Sequence, residues 1–343
     1  MAELRKAKKA AALIAAMCIT LGIASCGEAE ETAETESSLS TSAPEEATTT
    51  KATTTAPKIT TTTTTTLAPL PVMDDYNDWY EKNNDMIGWI QIDGTPIDFP
   101  VLQSDDNKYY LTRDFDLNEV KQGAIFADYK CKFTTRTRPA NTILYGHNMR
   151  TGPSFAKITT YCPWYSDYSR KNMNINQYLT APTITFDTIW EKGTYKVFAA
   201  MYVNTQEAHG EVFKYYKQRD IKNEGEFYNY IAKIMDRSLF YTDVDLEYGD
   251  EILTLSTCYY PLGSTVDTRF VLYARRVREG ESAEVDTSKA YINPDPLYFD
   301  YWYKCYGGSW GGRKWDTSKV KGFDEYFATH EEATLAEMAA INS

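Results

Sequence analysis

Two stretches of the chain, residues 251–257 and 270–276, alternate between apolar and polar side chains with a period of two. Such alternation predicts β-strands, in which successive side chains point to opposite faces. Only the loop 259–268 separates the two stretches, so we expect them to pair as antiparallel neighbours. In that pairing Cys258, at the end of the first strand, meets Arg269, at the start of the second, at one edge. One face of the first strand carries Ile252, Thr254, Ser256 and Cys258.

The same pattern predicts further elements along the chain. Six more strands are expected at residues 88–92, 97–102, 123–127, 142–145, 183–187 and 194–203, and the first two are joined by the turn signal Asp93-Gly94. Helical spacing predicts helices at residues 74–86 and 223–241. We also expect a short helix at 154–158 and a terminal helix at 324–341. The fold is therefore predicted to be mainly β, with mostly antiparallel strands.

The N-terminal part of the chain cannot contribute to this core. Residues 1–9 are basic and residues 10–24 are apolar, which is the pattern of an export signal. This apolar run is shorter than the roughly 20 residues that a spanning helix needs, so we expect a cleaved signal. Residues 27–71 are low in complexity and rich in threonine, which predicts a disordered, extended stalk. We expect a signal at 1–26, a stalk at 27–71, a catalytic domain at 72–278 and an extension at 279–343.

Charge and composition narrow the class of partner. The net charge of −12 and the pI of about 4.9 disfavour a nucleic-acid partner and suit a soluble domain in an extracellular space. The cysteines and histidines show no metal-ligand spacing, so we expect neither a metal nor a cofactor.

The expected meeting of Cys258 and Arg269 suggests covalent acyl transfer. A guanidinium can stabilise a thiolate, or the oxyanion that forms when the thiolate attacks a carbonyl. An acid or base is also needed, and His147 is the best placed of the three histidines. It follows the short strand 142–145 and Gly146, which lets the chain turn. We expect His209 to lie on the surface.

Each of these three residues also has an ordinary interpretation on its own. A cysteine at a strand end is often a small buried hydrophobe or half of a disulfide, and a single histidine or arginine often lies on the surface. Three such residues at strand termini, in one matched pattern, favour catalysis instead.

At this point the chain resembles a class B sortase over about residues 76–276. The resemblance depends on the segment 145–149 (YGHNM), on the signature 254–258 (TLSTC) and on Arg269 a short loop later. It implies a closed sortase β-barrel with an N-terminal helix and a helix inserted before the cysteine strand. It also implies Cys258 as the nucleophile, His147 as the general acid toward the leaving amine, and Arg269 as the group that positions the substrate and holds the oxyanion.

The resemblance also implies a substrate and a groove. The expected reaction cleaves a C-terminal sorting motif of an exported protein through a thioester on Cys258 and transfers the acyl group to an amine of peptidoglycan or of a pilin lysine. The segment 88–115 resembles the opening strands of the class and the loop after them. By that match Asn107 and Leu111 line the groove, and we add Ser256 from the TLSTC signature. The alternative interpretation is Leu111 as core and Asn107 as a helix cap.

A non-catalytic surface protein is the alternative function, namely a sortase-like barrel kept for binding. The extension 279–343 carries an aromatic cluster at 298–303 and a glycine-rich segment at 307–312. These residues could pack on the barrel or present a carbohydrate-stacking surface, and packing is expected because aromatics at this density usually bury themselves. An intact set of Cys258, His147 and Arg269 argues against the binding protein.

The cysteine at the end of the export signal suggests an anchor. Residues 23–26 (IASC) look like a bacterial lipobox, in which Cys26 is lipidated after cleavage. We therefore expect a domain held by its N-terminus at the outer face of the membrane of a Gram-positive bacterium. The alternative is an uncleaved transmembrane anchor, which known sortases keep more often. Because a sortase needs Cys258 reduced, we expect at most one disulfide among Cys131, Cys162 and Cys305.

Overall fold

The computed structural model describes residues 68–164 and 171–330. The predicted signal, Cys26, most of the stalk and residues 331–343 lie outside the described residues. The α-helices of the described part are α1 (Asn77–Lys82), α2 (Asn176–Thr180), α3 (Glu224–Arg237), α4 (Asp300–Tyr306) and α5 (Phe323–Thr329). Its strands are β1 (Met86–Gln91), β2 (Asp98–Leu102), β3 (Ile125–Ala127), β4 (Asn141–Tyr145), β5 (Thr183–Thr188), β6 (Thr194–Asn204), β7 (Phe240–Tyr241), β8 (Leu246–Glu247), β9 (Ile252–Cys258), β10 (Thr268–Arg276), β11 (Tyr291–Ile292) and β12 (Val320–Lys321).

Eight of these strands close into a barrel in the order β1-β2-β3-β4-β9-β10-β6-β5, and β5 returns to pair with β1. The pairs β2–β3 and β4–β9 are parallel, whereas the other neighbours are antiparallel. Each of the eight strands predicted from alternation is present in this barrel. The prediction of a mainly β, closed barrel is confirmed.

Alternation along β9 and β10 divides their side chains between two hydrophobic layers. Leu253, Leu255 and Leu272 belong to the inner core of the barrel. Ile252 and Val271 belong to a second cluster, in which α3 packs through its apolar face against the outside of the barrel. Cys258 therefore continues the row of β9 side chains that faces outward toward this second cluster.

Helix α3 is amphipathic and begins as its sequence predicts. The Asn223 side chain caps it by accepting a hydrogen bond from the Glu226 amide at 2.9 Å. The predicted end at residue 241 is wrong, because the helix stops at Arg237. The Leu239 amide instead donates to the Ala200 carbonyl of β6 at 2.7 Å, and β7 pairs with β11. Hydrogen bonds to the sheet and to the extension thus compete with the last helical turn.

Two shorter helical predictions are also corrected. The N-terminal helix is a 3₁₀ turn followed by α1, and it ends at Lys82 because the next residue, Asn83, is extended. The Asn83 side chain bonds instead to the Phe115 carbonyl at 2.9 Å and to the Tyr110 hydroxyl. The segment after the histidine forms a 3₁₀ helix at Ala156–Tyr161.

The extension packs on the barrel, as its aromatic density predicts. Tyr298, Phe299 and Trp302 are buried in the same cluster as the barrel interior. Helix α5 runs from Phe323 to Thr329 and ends there, before the predicted end, while residues 331–341 of the predicted terminal helix lie outside the described residues. His209, expected on the surface, is half-buried, and its ring lies 4.6 Å from that of Tyr301.

Four cysteines fall in the described part of the chain, and none of them forms a disulfide there. Cys131 and Cys162 are buried, Cys258 is partly exposed and Cys305 is exposed. Burial raises the pKa of both Cys131 and Cys162 to about 12, so both thiols stay protonated at neutral pH. Between residues 68 and 164, and between 171 and 330, no helix combines the length and the apolar character needed to cross a membrane.

Candidate active site

Cys258 and Arg269 lie directly opposite each other on neighbouring antiparallel strands. The adjacent pair is hydrogen-bonded, because the Tyr259 amide donates to the Thr268 carbonyl at 3.2 Å. Hydrogen-bonded and non-hydrogen-bonded pairs alternate, so Cys258 and Arg269 form a non-hydrogen-bonded pair, the kind in which Cα atoms are only about 4.5 Å apart. The thiol and the guanidinium therefore share one face of the barrel at one edge.

His147 reaches the same edge from the other side of β9. Strand β4 runs parallel to β9, with Tyr145 paired to Ser256, so the chain two residues later brings His147 level with Cys258. Three hydrogen bonds extend the pairing beyond the strands: the Gly146 amide to the Ser256 carbonyl (3.2 Å), the Thr257 hydroxyl to the Gly146 carbonyl (2.7 Å), and the Asn148 side-chain amide to the Cys258 carbonyl (2.7 Å). The histidine loop is thus fastened to the cysteine strand.

The glycine before the histidine has a different role from the one predicted. Gly146 does not adopt a positive φ. A Cβ atom at this position would lie 2.9 Å from Cγ of Phe155, which is closer than real Cβ contacts allow. Phe155 is fully buried, and its amide donates to the His147 carbonyl at 2.9 Å. Glycine is therefore required here for the close approach of Phe155 rather than for a turn.

The imidazole of His147 is held by a backbone carbonyl. Its Nε2 lies 2.8 Å from the carbonyl oxygen of Leu111. Because a carbonyl oxygen can only accept, Nε2 carries the hydrogen in this bond, and Nδ1 is the nitrogen that can take or give a second proton. This contact fixes the ring at the barrel edge.

Arg269 is oriented by its own strand and the neighbouring loop. One guanidinium nitrogen donates to Asp267 Oδ1 at 2.5 Å and to the Thr268 carbonyl at 2.9 Å. Asp267 in turn accepts from the Thr205 hydroxyl at 2.6 Å. Burial raises the pKa of Asp267, but the hydrogen bonds from Arg269 and Thr205 outweigh it and leave that pKa lowered. Burial lowers the pKa of Arg269, but the electrostatic effects of Cys258 and Asp267 outweigh it. The pKa of Arg269 is therefore raised above its ordinary value, and the guanidinium stays charged.

Two tyrosines complete the surroundings of the thiol. The Tyr260 phenol is partly exposed, and its pKa is raised by burial and by a hydrogen bond with Cys258. Tyr215 is buried, and its hydroxyl lies 2.6 Å from Oγ of Ser256. Burial raises the pKa of Tyr215 to about 12. Ser256, predicted to bind substrate, is itself buried and bonded to this phenol in the structure.

The other two residues predicted to line the groove lie beside His147 and the strand edge. Leu111 provides the carbonyl that holds His147, and its half-buried side chain packs on the cluster under the N-terminal helix. The Asn107 amide donates to Asp128 at 3.1 Å and accepts from the Tyr129 amide. The interpretation of Asn107 as a helix cap is wrong, because Asp106 accepts from the two amides that open the 3₁₀ turn.

The structure adds residues that the sequence argument did not single out. Asp267 could have been found, since it is an acid two residues before Arg269, and in an extended chain such a spacing puts both side chains on the same side. Tyr215 carried no such signal, because it lies 41 positions before Ser256, the residue it contacts. Together the groups bring a thiol, a fixed imidazole and a charged fork of donors to one edge, which is the set that acyl transfer through a thioester requires.

Comparison with known proteins identifies the family. The family model described as "Sortase domain" matches residues 90–277. Sortase B of Listeria monocytogenes serovar 1/2a (strain ATCC BAA-679 / EGD-e) is 32% identical over 187 residues, which cover 54% of this chain and 68% of that protein. Sortase B of Staphylococcus aureus (strain NCTC 8325 / PS 47) is 29% identical over 196 residues, covering 57% and 72%.

Solved structures give the same result. Sortase B from B. anthracis in complex with AAEK1 matches with a TM-score of 0.50 and 27% identity, over 62% of this chain and 89% of that one. The crystal structure of Staphylococcus aureus sortase B matches with a TM-score of 0.50 and 27% identity, over 60% and 88%. On the strength of the family match, the two sequence relatives and the shared barrel, this chain belongs to the sortase family, within its class B, and is a cysteine transpeptidase.

Proposed function

We propose that this sortase cleaves a C-terminal sorting motif of exported proteins through a thioester on Cys258 and transfers the acyl group to an amine. The observation that carries the proposal is the meeting of Cys258, His147 and Arg269 at one barrel edge. The acceptor amine belongs to a peptidoglycan peptide or to a pilin lysine. No cofactor takes part in this chemistry.

The acylation step follows from the three groups. The Cys258 thiolate attacks the carbonyl carbon of the scissile peptide bond, and the electron pair of the carbonyl moves to its oxygen. Arg269 donates hydrogen bonds to that oxyanion through a planar fork of nitrogens. When the oxyanion collapses, the carbon–nitrogen bond breaks and protonated His147 gives its proton to the leaving amine. The acyl group remains on Cys258 as a thioester.

The transfer step is the reverse at the same edge. The neutral acceptor amine attacks the thioester carbon, and the neutral imidazole of His147 takes the proton that the amine loses. The carbon–sulfur bond then breaks, which releases the new amide and restores the Cys258 thiolate. Hydrogen bonding to the Leu111 carbonyl keeps the ring in place through both proton transfers.

The groove is expected to lie beside these groups. We propose that Asn107, Leu111 and Ser256 contribute to substrate binding, the first two from the loop against His147 and the third through its contact with Tyr215. The alternative function is a sortase-like barrel that binds without catalysis. Such a protein would not need Arg269 to be held by Asp267 beside a thiol, so this arrangement favours the enzyme.

One experiment separates the enzyme from the binding protein. The full chain is incubated with a library of sorting pentapeptides and a panel of amines, and transpeptidation products are measured. We expect product with the natural chain and none with Cys258→Ala. The matched control is Cys305→Ala, which removes an exposed thiol outside the site and leaves product formation unchanged. Product from the folded Cys258→Ala chain would overturn the proposal.

We further propose that the mature chain begins at Cys26 and is held by lipid at the outer face of the cell membrane of a Gram-positive bacterium. The support is the basic start, the short apolar run, and the small residues Ala24 and Ser25 before Cys26. Acyl chains contribute about 0.8 kcal/mol per buried CH₂, so several chains on one cysteine hold the domain firmly. Mass spectrometry of the native N-terminus should find an acylated peptide starting at Cys26, and an intact Met1-containing chain in the membrane fraction would contradict it.

A further inference from the structure

The C-terminal extension lies beyond residue 277, where the match to the sortase domain ends, and yet it is part of the barrel core. Phe299 and Trp302 are 7% and 3% exposed, respectively, and both rings lie against Tyr202 of β6. The ring centroids are 5.6 Å apart for Phe299 and Tyr202 and 5.3 Å apart for Trp302 and Tyr202. The extension therefore fills the core at the position of Tyr202.

Tyr202 connects the extension to the residues next to the nucleophile and the arginine. Its hydroxyl donates to Oγ1 of Thr268 at 3.0 Å, and its ring lies edge-on to that of Tyr259 at 5.9 Å. Tyr259 follows Cys258 in the chain, and Thr268 precedes Arg269. These two residues are bonded to each other through the Tyr259 amide and the Thr268 carbonyl at 3.2 Å. The residue after Cys258 and the residue before Arg269 thus both contact Tyr202 through their side chains, on the loop side of the pair.

The same tryptophan also contacts the segment that follows His147. Trp164 lies 5.7 Å from Trp302 and 6.1 Å from Tyr298, measured between ring centroids. Trp164 comes three residues after the 3₁₀ helix Ala156–Tyr161, and this helix begins next to Phe155, whose amide binds the His147 carbonyl. One side chain of the extension therefore supports both loops that carry the reactive groups.

We propose that Trp302 is a positioning residue that holds the cysteine, arginine and histidine loops in their reactive arrangement. The inference deepens the proposed function and rests on it. Trp302 acts through Tyr202 on one side and Trp164 on the other. Shifts of about 1 Å in such supports can cost about 10²-fold in rate, because the three groups must align at once.

The extension offers a matched control for the loss of a buried tryptophan. Trp315 is 5% exposed, close to the 3% of Trp302. Its Nε1 donates to Asp236 of α3 at 2.7 Å and its ring packs on Phe323 at 5.0 Å, away from both catalytic loops. Substituting either tryptophan removes a similar buried volume and should lower the free energy of unfolding by a similar amount. Only Trp302 is proposed to support the active site.

The test compares Trp302→Leu, Trp302→Phe and Trp315→Leu in the full chain, each shown to be folded at the assay temperature by its thermal unfolding curve. We expect Trp302→Leu to lower kcat at least about 10-fold and to keep KM within about 3-fold of the value for the natural chain. The reason is that the loops lose their alignment while the substrate groove keeps its contacts. Trp302→Phe should recover most of the loss, and Trp315→Leu should stay within about 2-fold of the natural chain. If Trp302→Leu does not fold, Phe299→Leu carries the same expectation.

A second readout needs no peptide substrate. The rate of Cys258 alkylation by iodoacetamide is measured against pH, with peptide mapping to separate Cys258 from Cys305. In Trp302→Leu the profile should move to higher pH, because Arg269 no longer sits against the thiolate, whereas Trp315→Leu should leave it unchanged. Equal effects of the two tryptophans on kcat and on alkylation would overturn the proposal. Absence of turnover in the natural chain would contradict the proposed function instead, and the alkylation comparison would still decide the role of Trp302.

Discussion

At the scale of single residues, the active-site edge depends on side chains that fix other side chains. Asp267 and the Thr268 carbonyl hold the guanidinium of Arg269, and the Leu111 carbonyl holds the imidazole of His147. The meeting of Cys258 and Arg269 could be predicted because each lies at a strand end, and the roles proposed for them and for His147 come from the resemblance to class B sortases. The groups that hold these side chains could not be predicted from the sequence, since a backbone carbonyl has no sequence signature.

The first prediction separates the charge of Arg269 from its geometry. Lysine keeps the charge but lacks the planar fork of donors, so Arg269→Lys should lose about 10²- to 10³-fold in turnover, the usual cost of losing an oxyanion donor. The control is Arg276→Lys at the far end of β10, where the side chain pairs with Glu191. That variant should turn over substrate within about 2-fold of the natural chain. Near-native turnover in Arg269→Lys would mean that the fork does not hold the carbonyl oxygen.

The second prediction concerns the glycine before the histidine. In Gly146→Ala the new methyl group collides with the Phe155 ring, which displaces the His147 backbone. Turnover should fall about 10-fold or more. Replacing the ring in the double variant Gly146→Ala/Phe155→Leu should recover part of that loss, although Phe155→Leu by itself costs about 1 to 2 kcal/mol of stability. Steady-state kinetics of the three variants measure the coupling, and strictly additive effects would show that the collision is not the cause.

At the scale of elements, strands were predicted better than helices. Each barrel strand is set by local alternation of side chains, which the sequence displays directly. Helix ends were wrong where a long-range partner competes for the backbone, as at residue 239, whose amide bonds to β6. The connection of β10 to the extension could not be predicted from the sequence either, because it depends on ion pairs between residues on separate elements.

A buried arginine joins these elements. Arg275, at the end of β10, is fully buried, and its guanidinium pairs with Glu281 at 2.5 Å and with Asp245 at 2.6 Å. Glu281 also accepts from Lys196 of β6 at 2.6 Å. The hydrogen bond from Arg275 lowers the pKa of Glu281 well below its ordinary value, burial opposes that shift, and Lys196 adds to it. The network ties the start of the extension to two barrel strands.

The third prediction follows from the sign of that shift. A carboxyl with a lowered folded-state pKa stabilises the protein above its ordinary pKa, and this stability is lost as pH falls toward the folded-state value. Glu281→Gln should therefore lower the free energy of unfolding at pH 7 by about 3 kcal/mol, the cost of leaving a buried charge partly unpaired. Urea unfolding of both chains at a series of pH values should show the difference narrowing below about pH 4.5. A difference that stays constant into acid would contradict the role of the Glu281 charge.

At the scale of the whole molecule, the sequence predicted the barrel and the reactive edge but not how the extension joins them. The TLSTC signature, Arg269 and His147 are close to strands that alternate clearly, so their meeting could be derived. The packing of residues near 300 on Tyr202, about 100 positions earlier, has no local pattern behind it. Such contacts depend on which side chains the folded barrel brings together in its core.

The most direct test of the account is to trap the acyl-enzyme. The full chain is mixed with a cleavable sorting peptide in the absence of an acceptor amine, quenched in acid and analysed by peptide mapping with mass spectrometry. We predict an acyl group on the peptide that contains Cys258, removed by hydroxylamine as a thioester should be, and absent from Cys131, Cys162 and Cys305. Cleavage of the peptide with no adduct on Cys258, or with the adduct on another residue, would contradict the assignment of Cys258 as the nucleophile.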